Sequence, residues 1–353
     1  MFRHSCLAVF VNRSPLKAIP FGRTYEMNTA LKLVHNANGK RDYINRLIQA
    51  EPKTGVLFSE FIIQTVKRKA KRMGESYRKA YHTLIHHLNG FSEEYEADIF
   101  TNSVGEDFMD DFILYLQAKD LRQTYIITLL SLVKAMAAKA AKYGYAVDCS
   151  YDDVSVDPEE IFTVYLSMNE ITRIYYFKGL TKKQERIRDL FVVGCLTALR
   201  YSDYSTLTRD NFTKDYIIKI TKKTGVKVTI PLHDYVREIY QKYNGEVSPG
   251  LSIQHFNRYI KKICQRVGFT EEIVFHYTKG GKLVTETKQK WEMISSHTAR
   301  RSAATNMYQT ARMKTFEIMS LTGHTTEKSF FRYIRTSTED KARQIAGDNF
   351  FRK

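Results

Sequence analysis

The side chains best suited to chemistry lie in the C-terminal half: Arg200, Lys223, His297, Arg300, His324 and Tyr333. They fall in five short segments. The first, Thr197 to Asp203, puts Arg200 at the end of an apolar run. Partial burial is expected there, and Asp203, three residues on, can orient the guanidinium. The second, Lys222-Lys223-Thr224-Gly225, is a turn that holds a lysine on a mobile arm. In the third, Ser296 to Ala303, His297 and Arg300 are spaced to share one helix face. Ser296 can cap that helix, free backbone N–H groups of its first turn favour an anion, and Arg301 points elsewhere. The fourth is Leu321-Thr322-Gly323-His324, where Gly323 can end a helix and leave His324 on a loop. The fifth, Phe330 to Ile334, carries Tyr333. Guanidinium, ammonium and imidazole groups neutralise and protonate phosphate oxygens, and a phenol can serve as nucleophile. Each segment also has an ordinary structural reading: an Arg–Asp pair closing a helix, a solvated turn lysine, a capped basic helix, a helix-ending glycine, a core aromatic.

These groups need a frame. Helical spacing marks four segments over 55–145: Leu57, Phe61, Ile62, Val66; Tyr77, Tyr81, Leu84, Leu88; Phe108, Phe112, Ile113, Leu116; and Tyr125, Leu129, Leu132, Val133, Met136, ending near Gly144. Four such helices make a small bundle. The acidic, irregular stretch 148–158 is the linker candidate. In 159–353, helices are predicted over Asn169–Phe177, Gln184–Leu199, Tyr235–Tyr243 and Ile253–Val267, with mainly helix after residue 296. Tyr216–Thr221 and Val226–Ile230 read as a β-hairpin, and Val274–Tyr277 with Leu283–Glu286 as a second ribbon split at Gly280-Gly281. The fold class is mainly α with small antiparallel β elements (α+β). Residues 1–54, broken by Pro15 and Pro20, form an N-terminal extension of uncertain order.

The chain has 353 residues, with 55 Lys+Arg against 38 Asp+Glu and a net charge of +17. A surplus this large argues for a polyanionic partner, above all nucleic acid. Hydrophobic residues at 43% and aromatics at 13% exclude wholesale disorder. No apolar run approaches the roughly 20 residues that span a bilayer. Cys6, Cys149, Cys195 and Cys264 are widely spaced, so reduced thiols in a cytoplasm are expected and no zinc site is implied. P-loop, dinucleotide, HExxH and GxSxG patterns are absent, as is a carboxylate cluster of the two-metal kind. The run Lys67, Arg68, Lys69, Lys71, Arg72, followed by Arg78 and Lys79, is a candidate DNA-contacting face or a solvated one.

In this order, TALRYSD, TKKTG, SSHTARRSAAT, LTGH and FFRYI resemble the catalytic boxes of the tyrosine recombinases, the phage-integrase family. The likeness is strongest to integrases of mobile elements whose second box reads SSHTARR. Tyr333 stands nine residues past His324, a step specific to that pattern. The resemblance implies a SAM-like core-binding bundle at 55–147 and a catalytic domain at 159–353. It implies site-specific DNA cutting and rejoining through a 3′-phosphotyrosine, with no cofactor, metal or ATP. Carried over by position, the arginines are Arg200 and Arg300, the histidines His297 and His324, the nucleophile Tyr333 and the supporting acid Asp203. The lysine is Lys223, with Lys222 left open. Thr322 stands where many relatives have leucine, a departure with no expected consequence.

Implied partners are double-stranded DNA, a homotetramer on paired sites, and accessory DNA-bending or directionality proteins; a nucleoid-associated location follows. Lysine, glutamine and asparagine side chains of 253–267 are candidate base readers. The C-terminal stretch 338–350 is expected to be helical and to pack in cis or on a neighbour. Rival readings are a type IB topoisomerase, a non-catalytic DNA-binding regulator and a metal-dependent nuclease.

Overall fold

The computed structural model describes residues 55–310, 312–335, 342 and 346. The N-terminal extension and the expected C-terminal helix lie outside the described residues, apart from Ala342 and Ala346. The chain divides into two compact units.

In the first unit, α1 (Phe58–Lys69), α2 (Glu75–Tyr95), α3 (Glu106–Ala118) and α4 (Gln123–Lys142) follow the four predicted stripes. Each turns its periodic apolar face inward. Phe58, Ile62, Leu84, Leu88, Met109, Phe112, Leu116, Leu129 and Val133 are all buried in one core. Full burial of such a side chain is worth about 1.5–3 kcal/mol, which holds helices that would be marginal alone. Tyr77 departs from its stripe. It lies in the first turn of α2 and is 61% exposed, stacked loosely on Tyr81. By length and composition α4 is apolar enough to cross a membrane, contrary to the expectation from its sequence. Its buried residues, Ile126 to Ala141, instead line the bundle core.

The predicted linker is partly built into this unit. Residues 149–152 form a 3-10 turn, Tyr151 and Val154 are buried in the bundle core, and the Glu106 amide donates to Ser150 Oγ (2.8 Å). Two aromatic and aliphatic anchors in a polar stretch were enough to dock it. Residues 277–284 also belong to this unit: the Gly280 amide donates to the Leu121 carbonyl, and Lys279 pairs with Asp120.

The second unit runs α5 (Met168–Tyr176), α6 (Lys182–Thr197), α7 (Tyr201–Tyr204), β1 (Tyr216–Ile220), β2 (Lys227–Pro231), α8 (Asp234–Lys242) and α9 (Ile253–Val267). The β3 (Glu272–Lys279) and β4 (Lys282–Gln289) ribbon follows, then α10 (Lys290–Met293), α11 (Ser296–Gln309), α12 (Thr315–Thr322) and α13 (Glu327–Phe331). Capping serines and threonines fix several starts: Ser167 and Thr181 accept from the amides of Glu170 and Gln184, opening α5 and α6. β1 and β2 pair antiparallel, with Ile218 opposite Thr229. Helix α6 is buried nearly all round, from Ile187 to Thr197. It approaches α11 closely, because a Cβ on Gly194 would lie 2.8 Å from Tyr204 and 3.1 Å from Ala299 Cβ. The buried face of α11 is accordingly small-residued: Ser296, Ala299, Ser302, Ala303 and Ala304.

Candidate active site

Helix α6 ends abruptly. Ala198 adopts φ +55, a left-handed conformation that costs an L-residue about 1–2 kcal/mol. The turn brings the chain to Arg200, which caps α7 and is half-buried. It also aims the Ala198 carbonyl at Arg300 of α11, whose Nη1 donates to it at 2.6 Å.

Arg300 is 1% exposed. Its Nη2 lies 2.9 Å from His324 Nε2, and its guanidinium carbon 5.3 Å from the centre of the Tyr333 ring. Burial, then the charge of Arg200, lowers its pKa to about 10; the nearby Tyr333 hydroxyl and Asp203 pull the other way. It remains a cation at neutral pH. Arg300 Nε and Arg200 Nη1 are buried and find no hydrogen-bond partner among the described residues. The protein thus leaves two guanidinium donors unspent in one place, an arrangement suited to a tetrahedral oxyanion.

Asp203 is fully buried, and its Oδ1 accepts from the Lys222 amide at 2.8 Å. That bond ties the α7 segment to the β1–β2 turn. The turn closes with Gly225 at φ +67, its amide donating to the Thr221 carbonyl. Lys222 and Lys223 are both exposed, but their charges act on different neighbours. Lys223 contributes to depressing the pKa of His297, whereas Lys222 acts on Lys219.

The N-cap of α11 is Ser295, one residue before the expected Ser296. The Ser296 amide is taken by Asn257 Oδ1 (2.8 Å), so this asparagine of α9, expected among the base readers, braces the helix start. His297 follows, exposed, with its pKa lowered by desolvation and by Arg301, Arg300, Arg200 and Lys223. Arg301 turns away and donates to the Val164 carbonyl at 2.8 Å.

Gly323, at φ +66, ends α12, and the His324 amide closes the helix on the Met319 carbonyl. Burial, then Arg300 and Arg200, push the His324 pKa down to about 3. Its ring lies 4.9 Å from that of Tyr333. Tyr333 itself sits in the turn just after α13 rather than within a helix, half-buried, its amide on the Phe330 carbonyl. All six expected residues and Asp203 thus lie in one unit; Arg300, His324 and Tyr333 touch one another, and the charge of Arg200 acts on both Arg300 and His324.

A sequence profile of the phage integrase family matches residues 165–340, and one of the phage integrase SAM-like domain matches 57–156. The chain belongs to the phage integrase family of tyrosine recombinases. No curated protein matches it in sequence. Among solved structures, the recombinase is similar to the Tn1549 transposon integrase in complex with transposon right end DNA. That match has a TM-score of 0.59 at 14% identity and covers 82% of this chain and 98% of that one. It is also similar to a lambda integrase tetramer bound to a Holliday junction (TM-score 0.56, 15% identity, 86% and 87% covered). A lambda integrase dimer on a COC′ core site matches with TM-score 0.59 at 15% identity, covering 91% and 87%. At such identities the likeness is one of fold.

In this recombinase the basic run lies at the end of α1, in the following turn and at the start of α2. Lys67, Arg68, Lys69, Lys71, Arg72 and Lys79 are exposed, and Arg78 is half-buried. Lys79 pairs with Glu75 at 2.7 Å. Lys139 of α4, which sequence reasoning passed over, joins this patch: desolvation and Lys69 push its pKa down to about 8. A second omission is Thr305 of α11. Fully buried, its hydroxyl donates to the Tyr333 carbonyl and accepts from the Arg335 amide, each at 3.2 Å. Nothing in its local sequence distinguishes it from a core threonine.

Proposed function

We propose that this recombinase cuts and rejoins DNA strands at specific sites through a 3′-phosphotyrosine on Tyr333, without metal or ATP. The observation that carries the reading is Arg300. From α11 it reaches the carbonyl that ends α6, the imidazole after α12 and the phenol after α13, all within one chain. A phosphodiester seated between Arg300 and Arg200 meets one buried and one half-buried cation and their unspent donors. The Tyr333 oxygen attacks phosphorus, the P–O5′ bond breaks, and the extra negative charge of the five-coordinate transition state falls on the guanidiniums. Lys223 gives a proton to the departing 5′ oxygen, and His297 donates to a non-bridging oxygen.

An ordinary phenol, with a pKa of about 10, must lose its proton to attack. His324 is a poor base while its lone pair is held by Arg300 and two cations face it. A phosphate between those cations cancels the repulsion and restores basicity to the ring. Attack by a second strand's 5′-hydroxyl on the phosphotyrosine reverses the sequence, and the ester conserves the energy of the broken bond.

Exchange between two duplexes takes four protomers on paired sites. The basic face from Lys67 to Lys79 contributes non-specific affinity through phosphate contacts. The decisive experiment incubates the chain with a nicked duplex of its own element's end in EDTA. Peptide mapping of the trapped adduct should find Tyr333 esterified to a 3′-phosphate. A strict requirement for a divalent cation, or an adduct on another residue, defeats the mechanism; relaxation of plain supercoiled DNA lacking a site marks a topoisomerase instead.

A further inference from the structure

Thr322 lies one turn-end before His324 and is 1% exposed. Its Oγ1 stands 2.7 Å from His324 Nδ1 and 3.2 Å from the Met319 carbonyl. The protons in this small network are decided by its two ends. Arg300 has only donors, so the ring nitrogen facing it, Nε2, must offer a lone pair. A neutral imidazole with a lone pair on Nε2 carries its proton on Nδ1. At the other end the Met319 carbonyl only accepts, so the single hydroxyl proton of Thr322 is spent there. The Thr322 oxygen is then free to accept from Nδ1–H. Every proton has one place, and the chain runs Arg300 Nη2–H to His324 Nε2, His324 Nδ1–H to Thr322, Thr322 O–H to Met319.

We propose that Thr322 is a positioning residue that holds His324 in the Nδ1–H tautomer and, through that ring, fixes the Arg300 guanidinium beside Tyr333. From its local sequence this threonine has no expected role; the hydroxyl, which leucine lacks, supplies one. The inference rests on the strand-cleaving reading of the site, because the guanidinium it orients is the one assigned to the phosphate. The groups that face the imidazole are Arg300 from α11, Arg200 before α7, Tyr333 and Phe330 from the last segment, and Thr322 itself. Among the described residues, no carboxylate faces the ring to take over the Nδ1 proton.

The test has two arms. Nitrogen-15 spectra of the histidine rings in the full chain, with His324 assigned by His324→Gln, should show a neutral Nδ1–H ring at pH 7. Thr322→Val should lose that single-tautomer signature and Thr322→Ser keep it. In parallel, adduct formation on a nicked duplex should slow by about tenfold in Thr322→Val, with DNA affinity unchanged and Thr322→Ser within about threefold of the parent. Its pH–rate profile should shift with Val and not with Ser. A proton on Nε2 in the parent chain, a parental rate in Thr322→Val, or a serine variant as slow as valine overturns the proposal. Absence of any adduct from the parent chain counts against the recombinase reading instead, and the spectra still decide the tautomer.

Discussion

Two groups of cations in this molecule obey different physics. The patch around Lys69 is built from exposed lysines and arginines on long mobile stems beside the half-buried Lys139, whose proton is loosened by desolvation and then by Lys69. Of the planar pair Arg200 and Arg300, the first is half-buried and the second fully buried and held by a backbone carbonyl and an imidazole. In the patch, solvent and salt screen each charge, and no single residue matters much. At the arginines, little water intervenes, and an ångström of displacement counts. The first arrangement suits affinity for any polyanion; the second suits one geometry of one group.

The contrast can be broken from its strongest side first. Tyr333→Phe should abolish the covalent adduct while leaving DNA affinity unchanged in a gel-shift assay; a residual adduct moves the nucleophile elsewhere. Arg300→Ala and Arg200→Ala should each lower single-turnover cleavage by about 10²-fold or more. A near-parental rate removes that arginine from the charge clamp. Asp203→Ala frees the lysine turn and should slow cleavage by about tenfold, whereas a change confined to melting temperature makes Asp203 a folding residue only.

On the bundle, Lys67→Ala or Lys69→Ala should alter cleavage little at saturating DNA. Each should instead flatten the slope of log affinity against log salt by about one unit. An unchanged slope takes that lysine out of the DNA interface.

The smallest effects are titrations. His324 binds its proton only near pH 3 when folded and near 6.5 when unfolded. The unfolded chain therefore takes up a proton first, and stability falls as pH drops through that window. His324→Gln should remove this part of the acid sensitivity in thermal melts. Lys139 titrates near pH 8 folded against 10.5 unfolded. Its destabilising effect is fully present below pH 8 and fades as pH rises through the window, so Lys139→Gln should melt slightly higher at neutral pH but not at pH 11.

Much was legible without coordinates. The four bundle helices announced themselves through apolar residues at helical spacing, and Gly323 marked the end of α12 as it stood. Other features were hidden because they depend on which partner the fold sets beside them. Tyr77 fits its stripe, yet in the first turn of α2 it stays largely exposed, touching the Tyr81 ring. The linker's acidic composition masked Tyr151 and Val154, two anchors sufficient to dock it. Asn257 reads as a surface amide until the amide of Ser296 is set beside it. Thr305 and Thr322 read as helix threonines, since a hydroxyl carries no signature of the carbonyl or imidazole it will meet.

The sequence determined which chemical groups are available, their order, and the helices that carry them, because side-chain type and periodicity are local properties written residue by residue. The tertiary structure alone decided which groups surround the His324 ring and which described guanidinium donors stay unspent. Those depend on charge, burial and hydrogen-bond directions among groups brought together from separate segments, and distance in space is not encoded at any one position.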